Sequence, residues 1–353
     1  QAFCLGWGMT CRDHLLAFLA KEEDPSSGGR QMPQHYGHKE LNIVSQSSPT
    51  GTQFLQAVGA GFALQRDGEK GVVYVSSGEG TSSQGDFHEA LNWASRDKVP
   101  VIFHIENNHY AISVPIEDQT AGGSVYKISA GYDNLARFNV EGTDFFETHL
   151  AFNKAVERAR RGKGPSLIQS DVVRLLPHSS SDDQRKYRSA EDLEADRNRD
   201  PLLSFANTCI KAGAAKQEEF DKILALVKSQ VDADAEWAEV QPDPDSNDSL
   251  KNVYNTVLPK DTPEPSPNSG EKIVLVDAIN HALDEELAHN DKMMIYGQDV
   301  AGGKGGVFTA TRGLTDRHGS DRVFNSPLAE SSIIGTAIGL ATLGYKPVVE
   351  IQF

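Results

Sequence analysis

The 353-residue sequence predicts an α/β protein of doubly wound parallel sheets with helices on both faces, two such domains following one another. Three observations carry this. Between Gly71 and Ser113 the apolar run Val72-Val73-Tyr74-Val75, a glycine turn, a helical pattern and a second apolar run, Val101 to Ile105, make one β-α-β unit. After residue 271 a helix, a strand, a glycine loop, a small-residue helix and a strand-like run follow again. Between them, residues 241–270 turn to Pro, Asp, Ser and Asn, the composition of a linker stiffened by proline. The expected division is therefore 1–240, 241–270 and 271–353.

Taken in order, residues 10–20 read as a helix and 24–29 as a turn. Gln34-His35-Tyr36-Gly37-His38 is a polar loop; His35 and His38 could share a metal, but no third ligand is near, and a plain loop fits better. Residues 45–52 are turn chemistry, rich in hydroxyls, and lead into a small-residue helix over 53–64 that can pack closely on neighbours. In the central unit, Phe87, Ala90, Leu91 and Ala94 share a helix face, and Asp86 and Glu89 suit its positive start. His88 and Glu89 are read as structural. Residues 114–140 are loop-rich, with a short strand or helix end. Thr143 and Asp144 cap a helix running to about Gly162, and 166–173 form a third strand.

Arg174 to Arg188 is a polar loop dense in groups that donate protons or bind phosphate. Asp200-Pro201 starts a helix, and a long amphipathic one covers 217–240, with Phe220, Ile223, Leu224, Leu226, Val227 and Val231 read as core. In the second domain, 276–287 is a helix and 292–299 a strand and turn. The glycine loop 302–306 is no P-loop, because Lys304 is followed by Gly305. Glu330 opens the small-residue helix 331–343, where a first-turn acid stabilised by the helix dipole is the plain alternative to a catalytic one.

The net charge of −16 argues against general nucleic-acid binding and suits docking to a basic partner surface. Cys4, Cys11 and Cys209 make no disulfide framework, which points to a reducing compartment. With no visible signal peptide and no apolar stretch of about 18 residues, the expectation is the bacterial cytoplasm.

The chemistry concentrates where the central strands end. Ligands of open parallel sheets bind beyond the carboxyl ends of the strands, and a right-handed crossover makes these two ends neighbours or near-neighbours. Glu79 follows the first strand and Asn108 the second. A carboxylate and an amide oxygen with room for water suit Mg²⁺ beside a diphosphate. Two other readings stand beside this one. Gly78 and Gly80 match the first glycines of a dinucleotide fingerprint, but its third position is Ser83, and Glu106 would imitate the ribose-binding acid. The turn could also be ordinary, with a solvated Glu79.

Gly-Glu-Gly, about thirty residues, then Asn107-Asn108 resembles the thiamine diphosphate motif. The fuller string G-E-G-x-x-x-x-G-D-x-H-E-x-L-N-x-A…N-N-x-Y-A-I-S is similar to the decarboxylating, first component of 2-oxo acid dehydrogenase complexes, with Glu79 pointing to the branched-chain (2-oxoisovalerate) type. The second half resembles the β chain of the same family through G-x-D-V…G-G-V-F-x-A-T-x-G-L…R-V-F-x-x-P-L-x-E and P-V-x-E-I-Q-F. This resemblance implies the thiamine diphosphate-binding fold, and a chain joining α and β polypeptides that are separate in most relatives. It also implies that the β-type domain is cut short at Phe353, and that an N-terminal Tyr-Arg contact lies before Gln1. Mg²⁺ would be held by Glu79, Asn108 and the Tyr110 carbonyl. Thiamine diphosphate would be held by Ser48, Thr50, Gly78, Glu79, Gly80, Thr81, Asn108, Arg174, His178 and Glu330, with K⁺ near Ser47, Thr52 and Gln53. Glu330 would contact the aminopyrimidine ring and His178 would relay protons. Ser179 matches the position phosphorylated in mitochondrial relatives. The family's basic residue before the two Asn is Glu106 here. The implied reaction is oxidative decarboxylation of a branched-chain 2-oxo acid with transfer to the lipoyl-lysine of an acyltransferase partner, by a homodimer equivalent to α₂β₂. Pyruvate or acetoin chemistry is the alternative, and a non-catalytic scaffold subunit the alternative of another class.

Overall fold

The computed structural model describes residues 2–45, 47–251, 253, 270 and 272–352. Most of the proline-rich stretch, 254–269, and the end of the chain at Phe353 lie outside the described residues. In chain order the helices are α1 (Ala2–Trp7), α2 (Cys11–Phe18), α3 (Thr52–Arg66), α4 (Gly85–Asp97), α5 (Ile116–Gln119), α6 (Val125–Ile128), α7 (Phe145–Arg160), α8 (Ala190–Asn198), α9 (Pro201–Lys211), α10 (Gln217–Glu239), α11 (Leu275–His289), α12 (Leu314–His318) and α13 (Glu330–Thr342). The strands are β1 (Val73–Gly78), β2 (Val101–Asn107), β3 (Tyr110–Ala111), β4 (Val114–Pro115), β5 (Ala136–Glu141), β6 (Ser166–Asp171), β7 (Met293–Gly297), β8 (Val323–Asn325) and β9 (Lys346–Glu350). They fall into two compact units: residues 1–48 with 215–272, and residues 49–214 with 273–353.

The larger unit holds both parallel sheets. The first runs β1-β2-β6-β5 and the second β8-β7-β9. Period-2 alternation sorts their side chains. Val101, Phe103 and Ile105 of β2 enter a core shared with α3 and α4, while Ile102 faces Ala151 and Ala155 of α7. Met294 and Tyr296 of β7 join the first of these cores, beside Ile333 and Leu340 of α13, while Met293 and Ile295 meet Leu287 and Leu314 of α11 and α12. Each sheet is thus covered on both faces, as parallel sheets require, and α3, α4 and α13 share one core between them.

The crossing of α3 and α13 depends on missing side chains. A Cβ on Gly59 would sit 2.0 Å from the Thr336 carbonyl oxygen, and one on Gly339 would sit 2.0 Å from that of Gln56. Glycine permits this backbone approach where any other residue would collide.

The smaller unit packs α2 against α10. Arg12 pairs with the buried Asp234 at 2.8 Å and stacks 4.4 Å over Trp237. Cys4, Met9, Ala17 and Tyr36 form its core, so Tyr36 is not simply part of a polar loop. The three cysteines are free thiols.

Two expectations need correction. The α10 stripe is not core: Leu224 and Leu226 are 71% and 70% exposed, and Ile223, Val227 and Val231 are exposed too. The reason is length. α2 has 8 residues against 23 in α10, so only the last turns of α10, at Asp234, Trp237 and Ala238, find a partner there. Residues 114–140, loop-rich with one short strand or helix end by sequence, contain β5 and, beyond it, several short helical turns. Among the described residues, no helix is long and apolar enough to cross a membrane.

Candidate active site

β1 runs through Gly78, which lies opposite Glu106 of β2, so the two strand ends are direct neighbours. Glu79 opens a single 3-10 turn, Glu79–Ser83, and is 1% exposed. One of its oxygens, Oε2, accepts the Asn108 backbone N–H at 3.2 Å. The other, Oε1, is buried without a hydrogen-bond partner. A buried carboxylate oxygen left unmatched costs free energy unless something compensates it, and a cation does so. Asn108 Oδ1 accepts the Tyr110 N–H at 3.3 Å, which leaves further lone-pair capacity on that amide oxygen. A carboxylate oxygen and a carboxamide oxygen on neighbouring turns are donors of the kind a hard divalent cation takes. The residues present therefore fit Mg²⁺.

The surrounding turn is rigid. Ser77 Oγ donates to Thr81 Oγ1 at 2.6 Å, Ser82 Oγ to the Glu79 carbonyl at 2.7 Å, and Gln119 Nε2 to the Gly80 carbonyl at 2.8 Å. The two glycines differ in use. A Cβ on Gly80 would strike that of Ala111 at 2.7 Å, so Gly80 admits the protein's own chain. A Cβ on Gly78 would have nothing nearer than 3.9 Å, which leaves open space beside the backbone. Asn107 is the locking member of its pair: its Nδ2 donates to Asp171 Oδ1 at 2.7 Å and ties β2 to β6.

Tyr110 stands between two left-handed residues, His109 (φ 68°) and Ile112 (φ 60°). That conformation is rare for a β-branched side chain and persists only where neighbours enforce it. Arg174 does so, donating to the Ile112 carbonyl at 2.7 Å. Its other terminal nitrogen donates to Tyr187 Oη at 2.7 Å, and Tyr187 donates in turn to Asp182 at 2.7 Å. Asp182 also accepts the His178 N–H at 2.9 Å, and these donations hold its carboxyl below the usual carboxylate range. The rings of Tyr110 and Tyr187 both lie under the Arg174 guanidinium. The loop carrying His178 and Ser179 is thus joined to the Asn108 turn by a continuous set of contacts. The His178 and Ser179 side chains themselves are exposed.

Glu330 is the first residue of α13 and is exposed. Gln298 Nε2 donates to its Oε1 at 2.7 Å, which holds the carboxyl below its ordinary range. A Cβ on Gly51 would lie 3.7 Å from Thr81 Cγ2, which puts the turn before α3 beside the Glu79 turn. Ser48 bonds His35 Nε2 at 2.8 Å in the smaller unit, whereas Thr50 is exposed in the turn before α3. In the same turn Gln53 Oε1 accepts the Gly51 N–H at 3.0 Å. His38 lies 3.5 Å from Glu40, and no group of three metal-ligating His, Cys, Asp or Glu occurs among the described residues. Glu106, in place of a basic residue, is half exposed and lies 3.8 Å from His104.

Residues 1–247 match the model of the dehydrogenase E1 component family. The chain belongs to that family. Residues 271–353 match the transketolase pyrimidine-binding domain. Among relatives, the 2-oxoisovalerate dehydrogenase α subunit of Bacillus subtilis is 43% identical over 232 residues, which is 65% of this chain and 70% of that one. The human mitochondrial 2-oxoisovalerate dehydrogenase α subunit is 36% identical, over 64% of this chain and 51% of its own. The pyruvate dehydrogenase E1 α subunit of B. subtilis is 33% identical, over 64% and 60%. The chain thus spans about half the length of the mitochondrial relative. Transketolase from Leishmania mexicana shares the fold, with a TM-score of 0.56 at 16% identity over 99% of this chain and 53% of that one.

In this E1 family member, Glu89 has a role that sequence reading places elsewhere. By sequence it suits the start of its own helix, α4. It accepts instead the N–H and Oγ of Ser332, at 2.9 and 2.8 Å, and so caps α13 next to Glu330. Gln298 carries no signal in the sequence that marks it as functional. Both partners lie far away along the chain, and no local pattern marks them.

Proposed function

We propose that this chain is a thiamine diphosphate-dependent decarboxylase of a branched-chain 2-oxo acid, passing the acyl group to lipoyl-lysine on an acyltransferase of the same complex. The observation that carries the reading is the buried, unpartnered oxygen of Glu79 beside Asn108, at adjoining parallel strand ends. The order of identities, 43% to the 2-oxoisovalerate relative and 33% to the pyruvate one, supports the branched-chain choice.

When bound, thiamine diphosphate supplies a nucleophilic carbon and an electron sink for loss of CO₂. Glu79, Asn108 and the Tyr110 carbonyl would hold Mg²⁺, and Gly78, Gly80, Thr81, Ser48, Thr50 and Arg174 would receive the diphosphate. Ser47, Thr52 and Gln53 would hold K⁺. Glu330 would accept a hydrogen bond from the pyrimidine ring. His178, on a loop anchored through Asp182 and Tyr187, moves protons during decarboxylation or transfer.

We read residues 1–240 as the diphosphate half, 241–270 as a linker and 271–353 as the pyrimidine half, fused in one polypeptide acting in the cytoplasm. The exposure of Glu330 supports a second chain completing the site in a homodimer. The test is reduction of a lipoyl acceptor with 2-oxoisovalerate, pyruvate and 2-oxoglutarate in turn. Preference for 2-oxoisovalerate is expected. Preference for pyruvate overturns the substrate, and no turnover with any of them, with Mg²⁺ and thiamine diphosphate supplied, overturns the reading.

A further inference from the structure

At the end of the second sheet lies a residue to which neither the reaction nor the comparisons assign a part. Gln298 follows β7 directly and is 5% exposed. Its Oε1 accepts the Gln352 backbone N–H at 3.1 Å, and its own carbonyl accepts Gln352 Nε2 at 3.2 Å. A carboxamide has one accepting end and one donating end, whereas a backbone N–H can only donate. The Gln352 N–H therefore claims the oxygen and turns the NH₂ group outward. That group meets Glu330 Oε1 at 2.7 Å.

We propose that Gln298 is the positioning residue for Glu330, a fixed hydrogen-bond donor that keeps the carboxylate aimed. The proposal rests on the reading of Glu330 as the pyrimidine contact. An acid at an exposed helix start otherwise samples many rotamers, and holding one orientation removes that freedom before any ligand arrives. The charged neighbours do not take over this task. Glu89 is engaged by Ser332 at the same helix start, and Asp299 pairs with Lys304. Glu350 meets Gln298 through its backbone carbonyl, which accepts the Gln298 N–H at 3.3 Å.

The test compares wild type with Q298L, Q298E and the exchange Q298E/E330Q. In the apo-protein, urea unfolding is followed from acid to neutral pH. Q298E puts two carboxylates where one carboxylate faced an amide, so an acid-side titration moves up by about one pH unit. The exchange restores one amide facing one carboxylate and abolishes that shift. In turnover assays with the cofactor, Q298L lowers kcat about tenfold with little change in KM. The exchange variant folds but loses decarboxylation, because its acid stands at the wrong position. An unshifted Q298E unfolding profile overturns the proposal whatever the activity. A shifted Q298E profile beside a wild-type protein that decarboxylates no 2-oxo acid overturns the functional reading and leaves the pairing in place.

Discussion

At the scale of single residues, the molecule turns on acids whose partners decide what they do. Glu79 keeps one oxygen bonded and one bare inside the protein. Glu79→Ala should abolish Mg²⁺-dependent binding of thiamine diphosphate, read by calorimetry with and without the metal; unchanged affinity would reject the assignment. His104 gives a prediction independent of any cofactor. It sits on β2 between Tyr74 Oη and Ser170 Oγ, both at 2.9 Å, and burial pushes its pKa down from 6.5 to about 4. The folded state thus binds fewer protons than the unfolded chain between about pH 4 and 6.5, so stability rises with pH across that window. This contribution is complete above the unfolded pKa and is lost as pH falls toward 4, to the extent of roughly 3 kcal/mol. His104→Gln, which bonds without titrating, should flatten that part of the urea-stability curve; equal slopes in the two proteins would sink the idea. Glu79 and Asn108 could be read from sequence because chirality brings the ends of a β-α-β unit together. Glu89 could not, because its partner Ser332 lies 243 residues away and no local pattern encodes the contact.

At the scale of elements, apolar runs revealed β1, β2 and β6, which lie inside the first sheet or on its packed faces. β5 shows in the sequence only as a short strand or helix end within a loop-rich stretch, for a physical reason. It is an edge strand, pairing with β6 alone, so Arg137 and Asn139 are tolerated in it. The α10 stripe misled in the other direction. Helical periodicity says that a face is apolar, not that anything covers it, and within its unit α2 reaches only the last turns. The crossing of α3 and α13 is the element-scale feature most open to test. Gly339→Val drives a side chain into the Gln56 carbonyl and should cost about 3 kcal/mol, the upper end for overpacking. Gly85→Ala, at the start of α4 with nothing within 4 Å of the new carbon, should leave stability unchanged or raise it by about 0.5 kcal/mol. Thermal melts of the two variants check this; similar melting temperatures would mean that the helices are not held as close as described.

At the scale of the whole molecule, sequence reading foresaw two parallel sheets, each covered on both faces, and the larger unit contains both. Less legible was that 1–48 would gather with 215–272, since nothing local records which distant helix a short N-terminal one will choose. The exposed Glu330 leads to a prediction about assembly. Sedimentation at micromolar concentration should give at least a dimer, and a fully active monomer would remove the shared-site model. The Glu89 cap on α13 reaches further, because one family segment supplies the bond that the other segment's helix requires. A gene cut between the codons for 247 and 271 would release two products, one with an idle acid and one with a frayed helix end.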